Sequence, residues 1–229
     1  MSKIQKLNDL VQTGARQYRD LVLEVKEQTE ENNDMVVEGY ASTYNEPYYM
    51  FRTKGKDGYT IEVREEVSDH AFDNTDMSDV ILQYNHEGRV FARMSNGTLT
   101  LDKQDPKGLF IRADLGGTEI GRQLFEEIKG GYTNKMSFGF TIDKVSEMRQ
   151  LEPDNDADEV WVYTIESIRK LYDVSAVSLP QNDFTSISAR ALADGEINEM
   201  VAERLHEHED KIARQKKIEE LEKLLESED

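Results

Sequence analysis

The stretch Lys135-Met136-Ser137-Phe138-Gly139-Phe140-Thr141-Ile142 decides how the rest of the chain is read. Apolar and small residues alternate in it with the period of a β-strand. Met136, Phe138, Phe140 and Ile142 make one face, and Ser137, Gly139 and Thr141 make the other. Such a strand buries its aromatic face and leaves room on the other for a group to approach the Ser137 hydroxyl. A substrate carbonyl, an imidazole, or both would fit there. An ordinary half-buried strand with a serine on its wet face fits the same pattern.

Outward from this stretch, alternating apolar runs predict strands over residues 21–25, 35–42, 59–67, 80–86, 108–115, 160–168 and 171–179. A hairpin is expected from 89–94 to 98–103, because Asn96-Gly97 supplies the positive φ that tight turns require. One internal helix stands out. Thr118 is its N-cap, Ile120, Leu124 and Ile128 its apolar stripe, and Gly130 its end. That strand density predicts a mainly β, α+β fold built on a barrel. Residues 2–17 read as a helix or loose arm. From Ile197 the spacing turns helical, through Val201, Leu205, His208 and Ile212 and then, out of register, Ile218, Leu221 and Leu225. This is a charged amphipathic helix, a short imperfect coiled coil at most.

The 229 residues include 28 basic and 47 acidic side chains and no cysteine. A cysteine nucleophile, thiolate metal sites and disulfides are thereby excluded. A net charge of −19 argues against nucleic acid as a partner. No apolar run reaches the ~18 residues of a membrane span, and no signal-peptide core is visible, so an intracellular, membrane-free protein is expected. Asp154-Asn155-Asp156-Ala157-Asp158 resembles the start of a calcium loop, but Glu159 and Ile165 stand where glycine and glutamate belong. An acidic hairpin loop is the better reading, and no metal or cofactor is expected.

His86 ends an apolar strand, where it shares a face with Leu82 and Tyr84, and is the first choice for a general base in this region; a structural histidine is the alternative. Asp173 is the odd residue in Leu171-Tyr172-Asp173-Val174-Ser175-Ala176-Val177-Ser178-Leu179, on a largely apolar strand face with Leu171, Ser175, Val177 and Leu179. A buried carboxylate needs a partner. A histidine N–H would serve, and so would Arg169 or a backbone amide. Ser137, His86 and Asp173 together supply the parts of a nucleophile, base and orienter.

Val37-Glu38-Gly39-Tyr40-Ala41-Ser42, Tyr84-Asn85-His86-Glu87, Met136-Ser137-Phe138-Gly139-Phe140 and residues 171–180, in this order, resemble the tailed-bacteriophage prohead proteases. These are serine proteases of capsid maturation, similar in fold to the herpesvirus assembly protease, a β-barrel surrounded by helices. The resemblance implies Ser137 as nucleophile, His86 as base and Asp173 as third member, where the family commonly has glutamate. It implies an endopeptidase that cleaves scaffold, or a scaffold-like segment of the major capsid protein, and also itself. The setting would be the host cytoplasm, inside the immature capsid, with a homo-oligomer expected. A catalytically silent scaffold or capsid-assembly protein on the same fold is the alternative. The expected organisation is a helical arm at 1–20, a protease barrel at 21–182, a linker at 183–196 and the charged helix at 197–229.

Overall fold

The computed structural model describes residues 17–25, 34–55, 57–146, 148–178 and 196–226. The chain is mixed α+β and mostly strand. In chain order the strands are β1 (Gln17–Val25), β2 (Val36–Thr43), β3 (Tyr48–Lys54), β4 (Thr60–Val67), β5 (Ile81–Tyr84) and β6 (Glu87–Arg93). They continue with β7 (Leu99–Asp102), β8 (Gly108–Asp114), β9 (Lys135–Val145), β10 (Arg149–Leu151) and β11 (Glu159–Val177). Two α-helices, α1 (Glu119–Lys129) and α2 (Glu196–Glu226), complete the described elements.

β11 is the spine. Its first part lies between β10 and β4, and its last part between β9 and β5. The main path of the sheet runs β3-β4-β11-β9-β1-β2-β8-β7. β5 and β6 branch from β11 instead of extending that path. The expected closed barrel is therefore not formed. Closure needs the end strands to pair, and among the described residues no ladder joins β3 to β7. Val37, Ile61, Phe72, Leu82, Ile111, Phe125, Phe138, Phe140 and Val174 fill the core. Phe138 stacks on Phe140 at 4.5 Å between ring centroids.

Several local expectations change. The hairpin expected over Asn96-Gly97 is a 3-10 turn (Met94–Asn96) closed by Gly97 at φ 77°, and β7 pairs with β8, not with β6. The tight hairpin of this region is β5–β6, over Asn85 and His86. β3 was missed because Tyr48-Tyr49-Met50-Phe51 does not alternate, and a bulge interrupts its pairing there. The two strands expected over 160–179 are one continuous strand. β1 starts at Gln17, inside the segment expected as an arm; positions 1–16 and the linker to 195 lie outside the described residues. α1 is as expected, with the Thr118 hydroxyl accepting the Gly121 N–H at 3.0 Å.

β4 buries three carboxylates, Glu62, Glu65 and Glu66. Each has partners, as burial demands. Glu65 accepts from the hydroxyls of Tyr48 and Tyr163. Glu66 meets Thr164 and Arg149. Burial alone would raise the Glu62 carboxyl, but Arg52 and Arg64 outweigh it and hold the group below the usual range. The same two arginines hold the calcium-like loop, Arg64 pairing with Asp154 and Arg52 with Asp156.

The start of α2 packs on the body beside β3 and β4. Val201 is buried, Arg204 lies 4.9 Å from the Trp161 ring centroid, and Leu205 covers Gly55. His208 stacks on Tyr59 at 3.6 Å and approaches Asp57 at 3.2 Å. Burial and the Glu159 carboxylate push the Tyr59 phenol up to about 12. Farther along, Ile218 is exposed.

Candidate active site

Three elements bring the site together at one end of β11. On β9, Ser137 and Gly139 share the face opposite the aromatic one. Cross-strand neighbours in an antiparallel pair point to the same side. Ser175 on β11 is registered with Ser137, and Asp173 with Gly139. These four positions form a small square of two hydroxyls, one carboxylate and one vacant corner. On the far edge of β11, β5 runs parallel, with Tyr84 registered with Ala176. Its continuation, Asn85-His86, turns back over the square.

A bulge makes this arrangement. The register shifts between Leu171 and Asp173, which pair with Phe140 and Gly139 respectively. The extra residue, Tyr172, breaks the alternation, so Leu171 shares the core face with Phe140 while Asp173 joins Ser137 on the other. The reading that put Leu171, Asp173 and Ser175 on one face is corrected by this shift. Both faces of β9 are covered from Met136 to Ile142, so Ser137 is not on a wet face.

The turn is equally specific. Asn85 and His86 have φ of 51° and 60°. Two left-handed central residues are the pattern of a type I′ hairpin turn, whose second position favours glycine. Asparagine tolerates this backbone, but a histidine there carries strain that surrounding contacts must hold. Asn85 supplies several. Its N–H donates to the Ala176 carbonyl at 2.9 Å, and its Oδ1 accepts the Ser178 N–H at 3.0 Å. Because the strand ends at Tyr84, His86 does not continue the face of Leu82 and Tyr84 as the sequence suggested; the turn aims it back over β11.

The ring bridges the two other sequence-predicted residues. His86 Nε2 lies 2.8 Å from Ser137 Oγ, and His86 Nδ1 lies 2.5 Å from Asp173 Oδ1. Ser137 and Asp173 are fully buried, and the His86 side chain is 8% exposed. Arg169, the other partner considered for Asp173, instead pairs with Asp143 at 3.4 Å on the surface. Ser175, not singled out from sequence, donates to Asp173 Oδ1 at 2.8 Å. Its position two residues beyond the acid was the available signal, since i and i+2 share a strand face. Chemically, the arrangement holds a hydroxyl against one imidazole nitrogen and a carboxylate against the other. Among the described residues no group of three or more potential ligand side chains is arranged to hold a metal ion.

The model of the caudovirus prohead serine proteases matches residues 22–202. The chain belongs to that family. Comparison with curated proteins and with solved structures gave no match. Membership of the prohead protease family makes phage head maturation the setting, the procapsid interior the place and capsid components the general class of partner. No described helix is long and apolar enough to cross a membrane.

Proposed function

We propose that the chain is a serine endopeptidase whose nucleophile, base and orienting acid are Ser137, His86 and Asp173. The observation that carries the reading is the His86 ring standing between the other two, at 2.8 Å and 2.5 Å. Neutral His86 takes the Ser137 proton at Nε2 as Oγ bonds to the scissile carbonyl carbon. Asp173 accepts the Nδ1 hydrogen, which fixes the tautomer and stabilises the imidazolium. The tetrahedral adduct then collapses. Its C–N bond breaks, and Nε2 returns the proton to the leaving amine. Water, activated by the same nitrogen, hydrolyses the acyl-enzyme. Backbone strain of this kind, at φ 60°, clusters at working sites, and it favours the enzyme over a silent assembly protein.

The substrates in this reading are the scaffold, or a scaffold-like segment of the major capsid protein, and the protease itself. Distant kinship with the herpesvirus assembly protease belongs to the same proposal and rests on what the family resemblance implies about fold. So does an organisation of a body, expected at 21–182 and extended back to Gln17 by β1, flanked by detachable arms before it and at 197–229 with a linker at 183–196, acting as a homo-oligomer in the prohead. Co-expression with the phage's capsid protein tests it. Fragments identified by mass spectrometry should appear with the wild type and vanish with Ser137→Ala, where loss of such a nucleophile costs a factor of about a million in turnover. Cleavage unaffected by the substitution would overturn it.

A further inference from the structure

We propose that Ser175 is a positioning residue, whose hydroxyl holds the carboxylate plane of Asp173 so that one oxygen stays aimed at His86. The inference deepens the protease reading and rests on it. Asp173 Oδ1 receives both the His86 Nδ1 hydrogen, at 2.5 Å, and the Ser175 hydroxyl, at 2.8 Å. Asp173 Oδ2 is buried and has no hydrogen-bond partner among the described residues. A carboxylate with one doubly engaged and one unengaged oxygen is asymmetric. Partial rotation about its Cβ–Cγ bond would turn the oxygen away from the ring and break both hydrogen bonds. Ser175 opposes that rotation.

The setting leaves this task to protein groups. Ser137 and Ser175 are 0% exposed and Asp173 is 1% exposed, so bulk water does not orient the carboxylate. An aspartate is also short. Its single methylene brings Oδ1 to His86 without a second oxygen reaching any described donor, so the orientation of the acid depends on the neighbour two residues along. Ser175 is itself held by its register opposite Ser137, so one pair of facing strand positions carries both the proposed nucleophile and the hydroxyl that steadies the acid. Ser175 does not touch the reacting atoms in this account. It acts through Asp173 on the direction of the Nδ1 hydrogen, and through the ring on Nε2.

The test uses the full chain. Ser175→Ala should lower kcat about tenfold with KM nearly unchanged, the scale of one hydrogen bond to a charged group. Ser175→Thr, which keeps the hydroxyl, should restore most of the loss, and Ser175→Cys, a weaker donor of similar size, should fall between. A second readout needs no cleavage. In the Ser137→Ala background, the downfield proton resonance of His86 Nδ1 should be sharp with Ser175 present, broaden with Ser175→Ala and disappear with the Asp173→Asn control. An unchanged resonance and kcat in a folded Ser175→Ala protein would overturn the proposal, as would Ser175→Cys behaving like wild type should the alanine variant fail to fold. Proteolysis surviving Ser137→Ala would sink the protease reading alone, since the resonance still reports on Ser175.

Discussion

Leu171 and Asp173 are two residues apart on one strand, yet they belong to opposite faces of the sheet. Leu171 is registered with Phe140 in the core, and Asp173 with Gly139 beside Ser137. The bulge at Tyr172 supplies the half-step. Gly139 therefore lies opposite Asp173, and a side chain there points to the same side of the sheet as Asp173 and Ser137. Gly139→Val should lower cleavage at least a hundredfold, the cost of displacing catalytic groups by about 1 Å. Thermal melting measures the accompanying cost in stability, because both faces of β9 are covered at this position and the added methyl groups must be accommodated. A fully active Gly139→Val enzyme would contradict the geometry.

Asp173→Asn keeps the shape but replaces one acceptor oxygen by an amide and removes the charge. With the Nδ1 hydrogen no longer held, the ring can adopt the tautomer that faces Ser137 with a hydrogen. A loss of about ten-thousandfold in kcat is expected, the scale seen when a triad aspartate elsewhere is so changed. Steady-state kinetics on a peptide spanning a mapped cleavage site measure it.

Asn85 should matter through the backbone. Asn85→Ala loses both the tolerance for φ 51° and the Oδ1 acceptor for the Ser178 N–H. The expected cost is about 2 kcal/mol of stability, from one strained residue and one hydrogen bond. Asn85→Gly keeps the turn and loses only the side-chain hydrogen bonds to Ser178, so it should sit between wild type and alanine in denaturant titration. An alanine variant as stable as wild type would remove the clamp from the account.

Acid should loosen the join between β11 and the segment before β5. Lys170, then the Ser78 backbone amide, hold the Asp76 carboxyl down at about 2, below its ordinary 3.8. A folded-state value below the unfolded one means that its contribution is present above pH 3.8 and fades as pH falls toward 2. Melting temperature should therefore drop over that window, and Asp76→Asn should make the drop shallower. Equal slopes for the two proteins would rule this group out.

Trp161 is the chain's single tryptophan and lies under Arg204 of the C-terminal helix. Its fluorescence thus reports docking of α2. Val201→Asp places a charge where a valine is 4% exposed, and should release the start of the helix and shift emission to the red. Cleavage of a short peptide should be unaffected, because Ser137, His86 and Asp173 all lie on the sheet body. Unshifted emission would mean that α2 holds by contacts other than these.

The linear order of residues was enough to name the aromatic face of β9, the capped helix α1, the change of period near position 197, and the three side chains of the candidate site. These features are local: a period, a cap or a residue type is written in neighbouring positions. The closed barrel and the Asn96-Gly97 hairpin were misjudged because pairing depends on which distant strand offers a free edge. The face of Asp173 and the aim of His86 were beyond reach for a related reason. One inserted residue at Tyr172 and two left-handed residues at 85 and 86 invert side-chain direction without altering the apolar pattern, and only long-range backbone pairing decides where such defects fall.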